Sequence, residues 1–219
     1  MTDDPVAVGT PLGPAHAHVH PATRAVATVV LGHGAGRGTD TRDLLALAAA
    51  LPAQGVTVIR VDQPWVVAGR KVAPSPATLD RAWTAVMPQL SPYTDGVLVV
   101  GGRSAGARVA CRTATAIGAD AVLAIAFPLH PPGKPERSRG DELAQVGAPL
   151  LILQGSRDAF GRPEEFPSDH RVHALAGADH GLAVSKRAGD QDGVLGELCT
   201  AVRAWIRSLG PTGAAPEKP

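Results

Sequence analysis

One glycine-rich segment contains a serine in the spacing that is typical of an activated nucleophile. Gly102, Ser104 and Gly106 form the pattern G-x-S-x-G, directly after the apolar run 97–100. A serine nucleophile at a sharp strand-to-helix turn needs glycine two positions to either side, because larger side chains would collide there. The helix that follows directs backbone N–H groups at the site, which favours developing negative charge. The alternative is a glycine-rich turn whose serine only caps a helix.

Two residues downstream have the types and the order of an acid and a base that could activate this serine. A serine needs a base to remove its proton, and the base needs a third group to orient it. Asp158 follows the apolar run 150–153, and His180 lies in a loop after the next predicted strand. The order serine, acid, histidine along the chain recurs in α/β folds with a serine nucleophile. The alternatives are a turn role for Asp158 and a loop role for His180.

Two other aspartates compete for the role of the acid. Asp179 adjoins His180 in sequence, and because neighbouring side chains diverge, its carboxylate would struggle to reach the imidazole. Asp62 precedes the nucleophile and therefore breaks the chain order. We expect Asp158 to orient the histidine.

A second glycine-rich segment, residues 32–38, follows an early apolar run and could complete an oxyanion hole. One donor is expected to be the backbone N–H of Ala105, the residue after the nucleophile, and the other the N–H of Ala35. Gly34 and Gly36 would let the backbone approach the site. His33 is expected to be a structural residue of this loop, with a catalytic base as the alternative.

The same segment permits a different interpretation, a dinucleotide-binding unit in which Asp62 binds a ribose. The glycine spacing contradicts it, because the sixth position is Arg37 when counted from Gly32 and Thr39 when counted from Gly34. The phosphate-binding pattern G-x-x-x-x-G-K-[ST] does not occur in the sequence either.

The proline-rich segment 127–135 follows a predicted strand and is expected to form a wall of the pocket. Four basic or titratable residues could bind an anionic substrate there, with solvated surface charge as the alternative. These candidates are Arg37, Arg103, His130 and Lys134.

Near the N-terminus, His16, His18 and His20 alternate and would share one face of a strand. Such a face could bind a metal ion, whereas the alternative is an exposed strand or tail. We predict no metal site and no organic cofactor.

Alternating apolar runs and amphipathic stretches predict the elements that must position these residues. Predicted helices cover 41–51, 77–90, 104–117 and 194–209. Predicted strands cover 25–31, 56–61, 96–100, 121–127, 149–153 and 172–175. The runs are mostly continuous rather than alternating, which is typical of parallel strands covered on both faces. We predict an α/β fold with a mostly parallel sheet of about six or seven strands and helices on both faces.

Length and composition favour one domain, expected at 16–210, with flexible segments at 1–15 and 211–219. The 219 residues carry a net charge of +1, without the basic stripe that nucleic-acid binding requires. Cys111 and Cys199 are expected to be reduced. Because no signal peptide and no membrane-spanning apolar run is recognisable, we expect a soluble, cytoplasmic protein.

Taken together, these motifs make the chain resemble a family of small bacterial predicted α/β-hydrolases, grouped loosely with dienelactone hydrolases. The resemblance covers about residues 25–185. It rests on segments 33–36 (HGAG), 101–108 (GGRSAGAR), 128–135 (PLHPPGKP), 153–161 (LQGSRDAFG) and 179–180 (DH).

The resemblance implies the α/β-hydrolase fold and a triad at Ser104, Asp158 and His180. Dienelactone hydrolases use a cysteine nucleophile, so their activity is not carried over to a chain with serine at this position. We expect a serine hydrolase of a small acyl substrate, an ester or thioester, without a cap domain. Eukaryotic relatives include subunits of chromatin complexes, so a non-catalytic binding module is the alternative. Nothing in the sequence indicates the oligomeric state.

Overall fold

The computed structural model describes residues 4–36, 38–185 and 190–210. The strands are β1 (Val6–Val8), β2 (Ala15–His20), β3 (Ala27–Gly32), β4 (Val56–Asp62), β5 (Val97–Arg103), β6 (Ala121–Ile125), β7 (Leu150–Gly155) and β8 (Arg171–Leu175). The described residues form one eight-stranded sheet in the order β1-β2-β4-β3-β5-β6-β7-β8. The six strands from β3 onward run parallel, whereas β1 and β2 are antiparallel to their neighbours.

Helices cover both faces of this sheet, as the sequence predicts. They are α1 (Arg42–Ala50), α2 (Pro64–Val67), α3 (Pro76–Val86), α4 (Ala105–Ile117), α5 (Gly140–Ala144) and α6 (Gln191–Ser208). One apolar layer includes α1 and α6 around Trp205, and the other includes α3 and α4 around Trp83. Every residue of β3 is buried, because this strand lies between the two layers. The predicted α/β fold is therefore confirmed, with eight strands rather than about six or seven, because β1 and β2 extend the parallel part of the sheet.

The predicted helix 77–90 is divided in the structure. Helix α3 ends at Val86, and the chain continues as the 3₁₀ helix Met87–Tyr93, which contains Pro88 and Pro92. Proline has no N–H to donate within an α-helix, and its ring collides with the preceding turn. Further 3₁₀ helices lie at Pro52–Gln54, Pro135–Arg137 and Pro163–Glu165.

Part of the segment 1–15, which was expected to be flexible, is ordered as strand β1. Val8 is buried, and β1 pairs with β2, opposite Ala15 and Ala17, whose side chains are fully buried. The high proline and glycine content of this segment obscures so short a strand. The predicted flexible tail, 211–219, lies outside the described residues.

Among the described residues, no cap domain covers the carboxyl edge of the sheet. Between β6 and β7, where a cap would be inserted, the described chain forms only the three-residue 3₁₀ helix Pro135–Arg137 and the five-residue α5. The edge from which the predicted site residues project is therefore left uncovered by any inserted domain.

Candidate active site

Ser104 lies at the sharp turn between β5 and α4. Its backbone has φ 52° and ψ −110°, a conformation that costs energy for any residue other than glycine. The serine is the N-cap of α4, so the first N–H groups of a 13-residue helix lie beside it without intrahelical acceptors. Strain of this kind is common at functional sites.

The two glycines of the motif let this turn pack against the end of β3. A Cβ atom on Gly102 would lie 2.6 Å from the carbonyl oxygen of Gly32, and one on Gly106 would lie 2.6 Å from its carbonyl carbon. Both obstructing atoms belong to the backbone, which cannot move aside as a flexible side chain can. Glycine is therefore required at both positions.

Ser104, His180 and Asp158 form one hydrogen-bonded chain across three loops at the carboxyl edge of the sheet. Ser104 Oγ lies 3.0 Å from His180 Nε2, and His180 Nδ1 lies 2.8 Å from Asp158 Oδ2. The Asp158 side chain is 0% exposed, whereas that of His180 is 23% exposed. The carboxylate is thus shielded from water, while the histidine remains accessible.

Two donors from its own segment hold the buried carboxylate of Asp158. Gln154 Nε2 donates to Oδ2 at 2.9 Å, and the backbone N–H of Phe160 donates to Oδ1 at 2.8 Å. Gln154 also donates to the carbonyl of Gly161 at 2.7 Å. Sequence reasoning missed Gln154, although a polar residue inside the apolar strand β7 was an available signal.

Phe160 makes a second contact that the sequence analysis did not predict. Its ring packs against the imidazole of His180 with 4.3 Å between the ring centroids and 33° between the planes. The carboxylate therefore fixes one edge of the histidine, and an aromatic ring covers one face.

Neither competing aspartate is bonded to the histidine ring. Asp179 Oδ1 accepts hydrogen bonds from the N–H groups of Gly181 and Ala183, which closes a tight turn. Asp62 accepts from the N–H of Thr39 at 2.7 Å and lies 3.0 Å from His18 Nε2. Among the described residues, the carboxylate bonded to His180 is that of Asp158.

The predicted oxyanion-hole residues line one small crevice beside Ser104. Gly34, Ala35 and Ala105 border this narrow space, and a Cβ atom on Gly34 would lie 3.5 Å from Ser104 Cβ. Gly36 differs from the expectation, because no described atom lies within 4 Å of a Cβ built there. The close approach of this loop thus occurs at Gly34.

His33 has the structural role that the sequence favours. Its Nε2 accepts a hydrogen bond from the N–H of Gln63 at 3.1 Å, so Nδ1 carries the proton and donates to the carbonyl of Gly34 at 2.8 Å. Its ring also packs against Trp65. The imidazole therefore connects the loop that contains Ala35 to the end of β4.

Two of the four predicted substrate-binding residues have internal contacts. Arg103 forms an ion pair with Asp43 and donates to the carbonyl of His180. His130 is buried between the carbonyl of Pro131 and the carboxylate of Glu165. Sequence alone could not show these partners, because all but one are distant along the chain. Lys134 is exposed, and Arg37 lies outside the described residues.

The environment of His130 favours its protonated form. The carbonyl of Pro131 and the Glu165 carboxylate together raise the pKa of His130 above its ordinary value of 6.5, against the opposing effect of burial. The pKa of Glu165 is lowered by the N–H of Arg162 and by His130. This pair therefore connects the proline-rich loop to the segment after Asp158 as a charged link.

The alternating histidines lie on β2, and two of them have protein partners. His18 pairs with Asp62, and His20 Nε2 accepts a hydrogen bond from Arg60. In the described part of the chain, no three His, Cys, Asp or Glu side chains gather as they would around a metal ion.

No helix formed by residues 4–36, 38–185 and 190–210 has the length and apolar character needed to cross a membrane. Both cysteines are free.

Residues 25–207 match the family described as the alpha/beta hydrolase domain, and the chain belongs to that family. Its fold is similar to that of an alpha-beta serine hydrolase homologue from Coxiella burnetii, with a TM-score of 0.74 and 18% identity over 94% of this chain and 98% of the other. A lidless serine hydrolase from Xanthomonas campestris gives a TM-score of 0.69 and 21% identity over 100% and 98% of the two chains.

A dienelactone hydrolase from Anabaena variabilis has a similar fold, with a TM-score of 0.72 and 17% identity over 94% of this chain and 97% of the other. Since these identities are low, the structural similarities concern the fold. Family and fold together support a hydrolase.

Proposed function

We propose that this protein is a serine hydrolase of small esters or thioesters and acts through an acyl-enzyme. The observation that carries the proposal is the continuous contact from Ser104 Oγ to His180 Nε2 and from His180 Nδ1 to the buried carboxylate of Asp158. A serine is a weak nucleophile until a positioned base accepts its proton. The strained backbone of Ser104 holds the hydroxyl at the open edge of the sheet.

In the first half of the reaction, His180 Nε2 accepts the proton of the Ser104 hydroxyl while Oγ attacks the carbonyl carbon. Asp158 holds the imidazole in the required tautomer and stabilises the imidazolium. The negative oxygen that forms is stabilised by the N–H groups of Ala35 and Ala105. The tetrahedral intermediate then collapses, and the leaving oxygen or sulfur takes the proton from His180.

The second half repeats these steps with water as the nucleophile. His180 removes a proton from water, the resulting oxygen attacks the acyl carbon, and the Ser104 oxygen leaves and recovers its proton from the imidazolium. The products are a carboxylic acid and an alcohol or thiol. Each step uses side chains of this protein and the N–H groups of its backbone.

The surroundings of Ser104 favour short acyl groups. Trp65, Leu79 and Val109 line the narrow crevice beside the predicted oxyanion donors, which is too small to hold even a water-sized group. In the described part of the chain, no cap domain adds an apolar groove. A long acyl chain gains about 0.8 kcal/mol for each buried CH₂ only where a groove buries it. We expect kcat/KM to be highest for acetyl to butyryl esters.

The alternative function is a non-catalytic binding module, as the resemblance to chromatin-complex subunits suggests. Such a module has no need for a bonded serine, histidine and aspartate at one edge of the sheet. The geometry around Ser104 therefore favours the enzyme.

The test combines a fluorophosphonate probe with a series of p-nitrophenyl esters. The wild-type protein should react with the probe and hydrolyse short esters. Ser104→Ala should lose both activities, with turnover reduced on the order of 10⁶-fold and thermal stability almost unchanged. Ser91→Ala, which alters an exposed serine away from the site, is the matched control. Equal hydrolysis by Ser104→Ala, or a kcat/KM that keeps rising to octanoyl esters, would contradict the proposal.

A further inference from the structure

Arg103, the residue directly before Ser104, connects the segments that form the candidate active site. Its Nε lies 3.0 Å from Asp43 Oδ2, and its Nη2 donates to the carbonyl oxygen of His180 at 2.5 Å. A Cβ built on Gly34 would lie 3.5 Å from its Nη1. One guanidinium thus contacts α1 and the histidine loop and lies beside the loop of Ala35.

Asp43 forms an ion pair with this guanidinium. It lies in the first turn of α1, where the helix dipole favours a negative charge, and its side chain is 0% exposed. Among the described residues, Arg103 is the cation within ion-pair distance of this carboxylate. A buried carboxylate requires such a partner, because an unpaired charge is costly away from water. The contact is an ion pair without hydrogen-bond geometry, and it holds the guanidinium near α1 by charge attraction.

The other contact is with the residue that serves as the proposed base. His180 lies in a tight turn closed by Asp179, and Leu182 in that turn has a positive φ of 50°. These bonds shape the turn internally, but they do not attach it to β5. The hydrogen bond from Arg103 to the His180 carbonyl attaches this turn to β5, at the residue directly before Ser104.

We propose that Arg103 is a positioning residue. Its guanidinium, which is paired with Asp43, holds the main chain of His180 and thereby sets the distance between His180 Nε2 and Ser104 Oγ. The inference rests on the proposed function, since it assigns Arg103 a role through the proposed base. A misplacement of about 1 Å at a reacting group can reduce turnover about 100-fold. Loss of the guanidinium should therefore lower kcat and leave KM nearly unchanged.

The first experiment compares Arg103→Met with Arg112→Met, using p-nitrophenyl acetate and concentrations of active enzyme determined by fluorophosphonate titration. Arg112 is the matched control, because it forms an ion pair with Asp80 between α4 and α3 and lies eight residues further along the chain than Ser104. Arg103→Met should lower kcat about 100-fold, and Arg112→Met less than about threefold. Equal kcat values for the two variants, or a raised KM with unchanged kcat for Arg103→Met, would overturn the inference.

Two further variants separate positioning from stability. The double variant Arg103→Met/Asp43→Leu removes the unpaired buried carboxylate, so thermal stability should recover towards wild type while kcat stays low. Recovery of kcat together with stability would overturn the inference. Arg103→Lys keeps a cation beside Asp43 but lacks the planar fork that reaches both partners. We expect its kcat to be at least about tenfold below wild type, and a wild-type kcat would contradict the proposal.

These outcomes are distinguishable from a failure of the proposed function. If wild type and Ser104→Ala hydrolyse the ester equally, the proposed function fails before Arg103 is tested. If only Ser104→Ala is inactive while the Arg103 variants match the Arg112→Met control, the inference about Arg103 alone fails.

Discussion

Substituting Gly106 with alanine tests whether the packing of the serine turn against β3 is as tight as the structure indicates. The new Cβ atom would lie 2.6 Å from the carbonyl carbon of Gly32, 2.7 Å from its oxygen and 2.9 Å from the N of His33. All three are backbone atoms, so either β3 or α4 must shift. Overpacking of this kind costs about 1–3 kcal/mol, and obstruction by backbone favours the upper part of that range.

Alanine also has a higher helix propensity than glycine, and Gly106 lies in the first turn of α4. The higher helix propensity of alanine offsets at most about 1 kcal/mol of the cost of overpacking. We therefore expect a net loss of about 1–2 kcal/mol in the free energy of unfolding. For a chain of this size the melting temperature should fall by about 2–8 °C. Ester hydrolysis should fall as well, because any shift of α4 moves Ser104 and the predicted donor at Ala105.

Gly196→Ala is the matched control for this substitution. Gly196 also lies in a helix, α6, but no described atom is within 4 Å of a Cβ built there. The same chemical change should therefore stabilise the protein by about 0.5–1 kcal/mol. The assay is thermal unfolding of both variants, followed by circular dichroism. A Gly106→Ala protein that is as stable as Gly196→Ala would refute the argument from close packing.

Two other substitutions test electrostatic roles. Asp158→Asn should slow ester hydrolysis about 10⁴-fold at neutral pH, because the amide favours the wrong histidine tautomer. Asp62→Asn should retain most activity. The reverse pattern in p-nitrophenyl acetate assays would show that the acid is misassigned. His130→Asn should be less stable than wild type, and that difference should be fully present near pH 6. A backbone carbonyl and Glu165 raise the pKa of His130 above 6.5, so the stabilisation is lost as pH rises through the raised value. Urea unfolding that gives an equal difference at pH 6 and pH 8.5 would contradict this linkage.

The chain order and the local patterns were sufficient to predict the α/β fold and the segments that carry the candidate site. Continuous apolar runs predict buried parallel strands without knowledge of their neighbours, because burial on both faces removes the alternation of polar and apolar residues. Ser104 directly follows β5, and Asp158 lies three residues after the end of β7. Since the carboxyl ends of parallel strands share one edge of the sheet, their proximity also followed from the sequence.

Contacts between distant segments were decided by the tertiary structure alone. The pairing of Arg103 with Asp43 joins residues sixty positions apart, and although Arg103 lies within the serine motif, nothing in that motif indicates Asp43 as its partner. For Arg103, the sequence also left open a solvated surface charge, which is the more frequent outcome for such a residue. The packing of Phe160 on His180 is likewise a contact between two loops, and no periodic pattern in the sequence predicts it.

Strand β1 at the N-terminus shows that backbone pairing between segments is equally hard to predict from the sequence. Strand β1 has only three residues, too few for a hydrophobic pattern to be recognised, and it is stabilised by pairing with β2. A strand pair at the edge of a sheet gains its stability from the neighbour it meets rather than from its own residues. Patterns along the chain report burial and local conformation, and they therefore predicted the elements and the residues that follow them. Which side chains meet across those elements depends on how the elements pack, and only the folded structure contains that information.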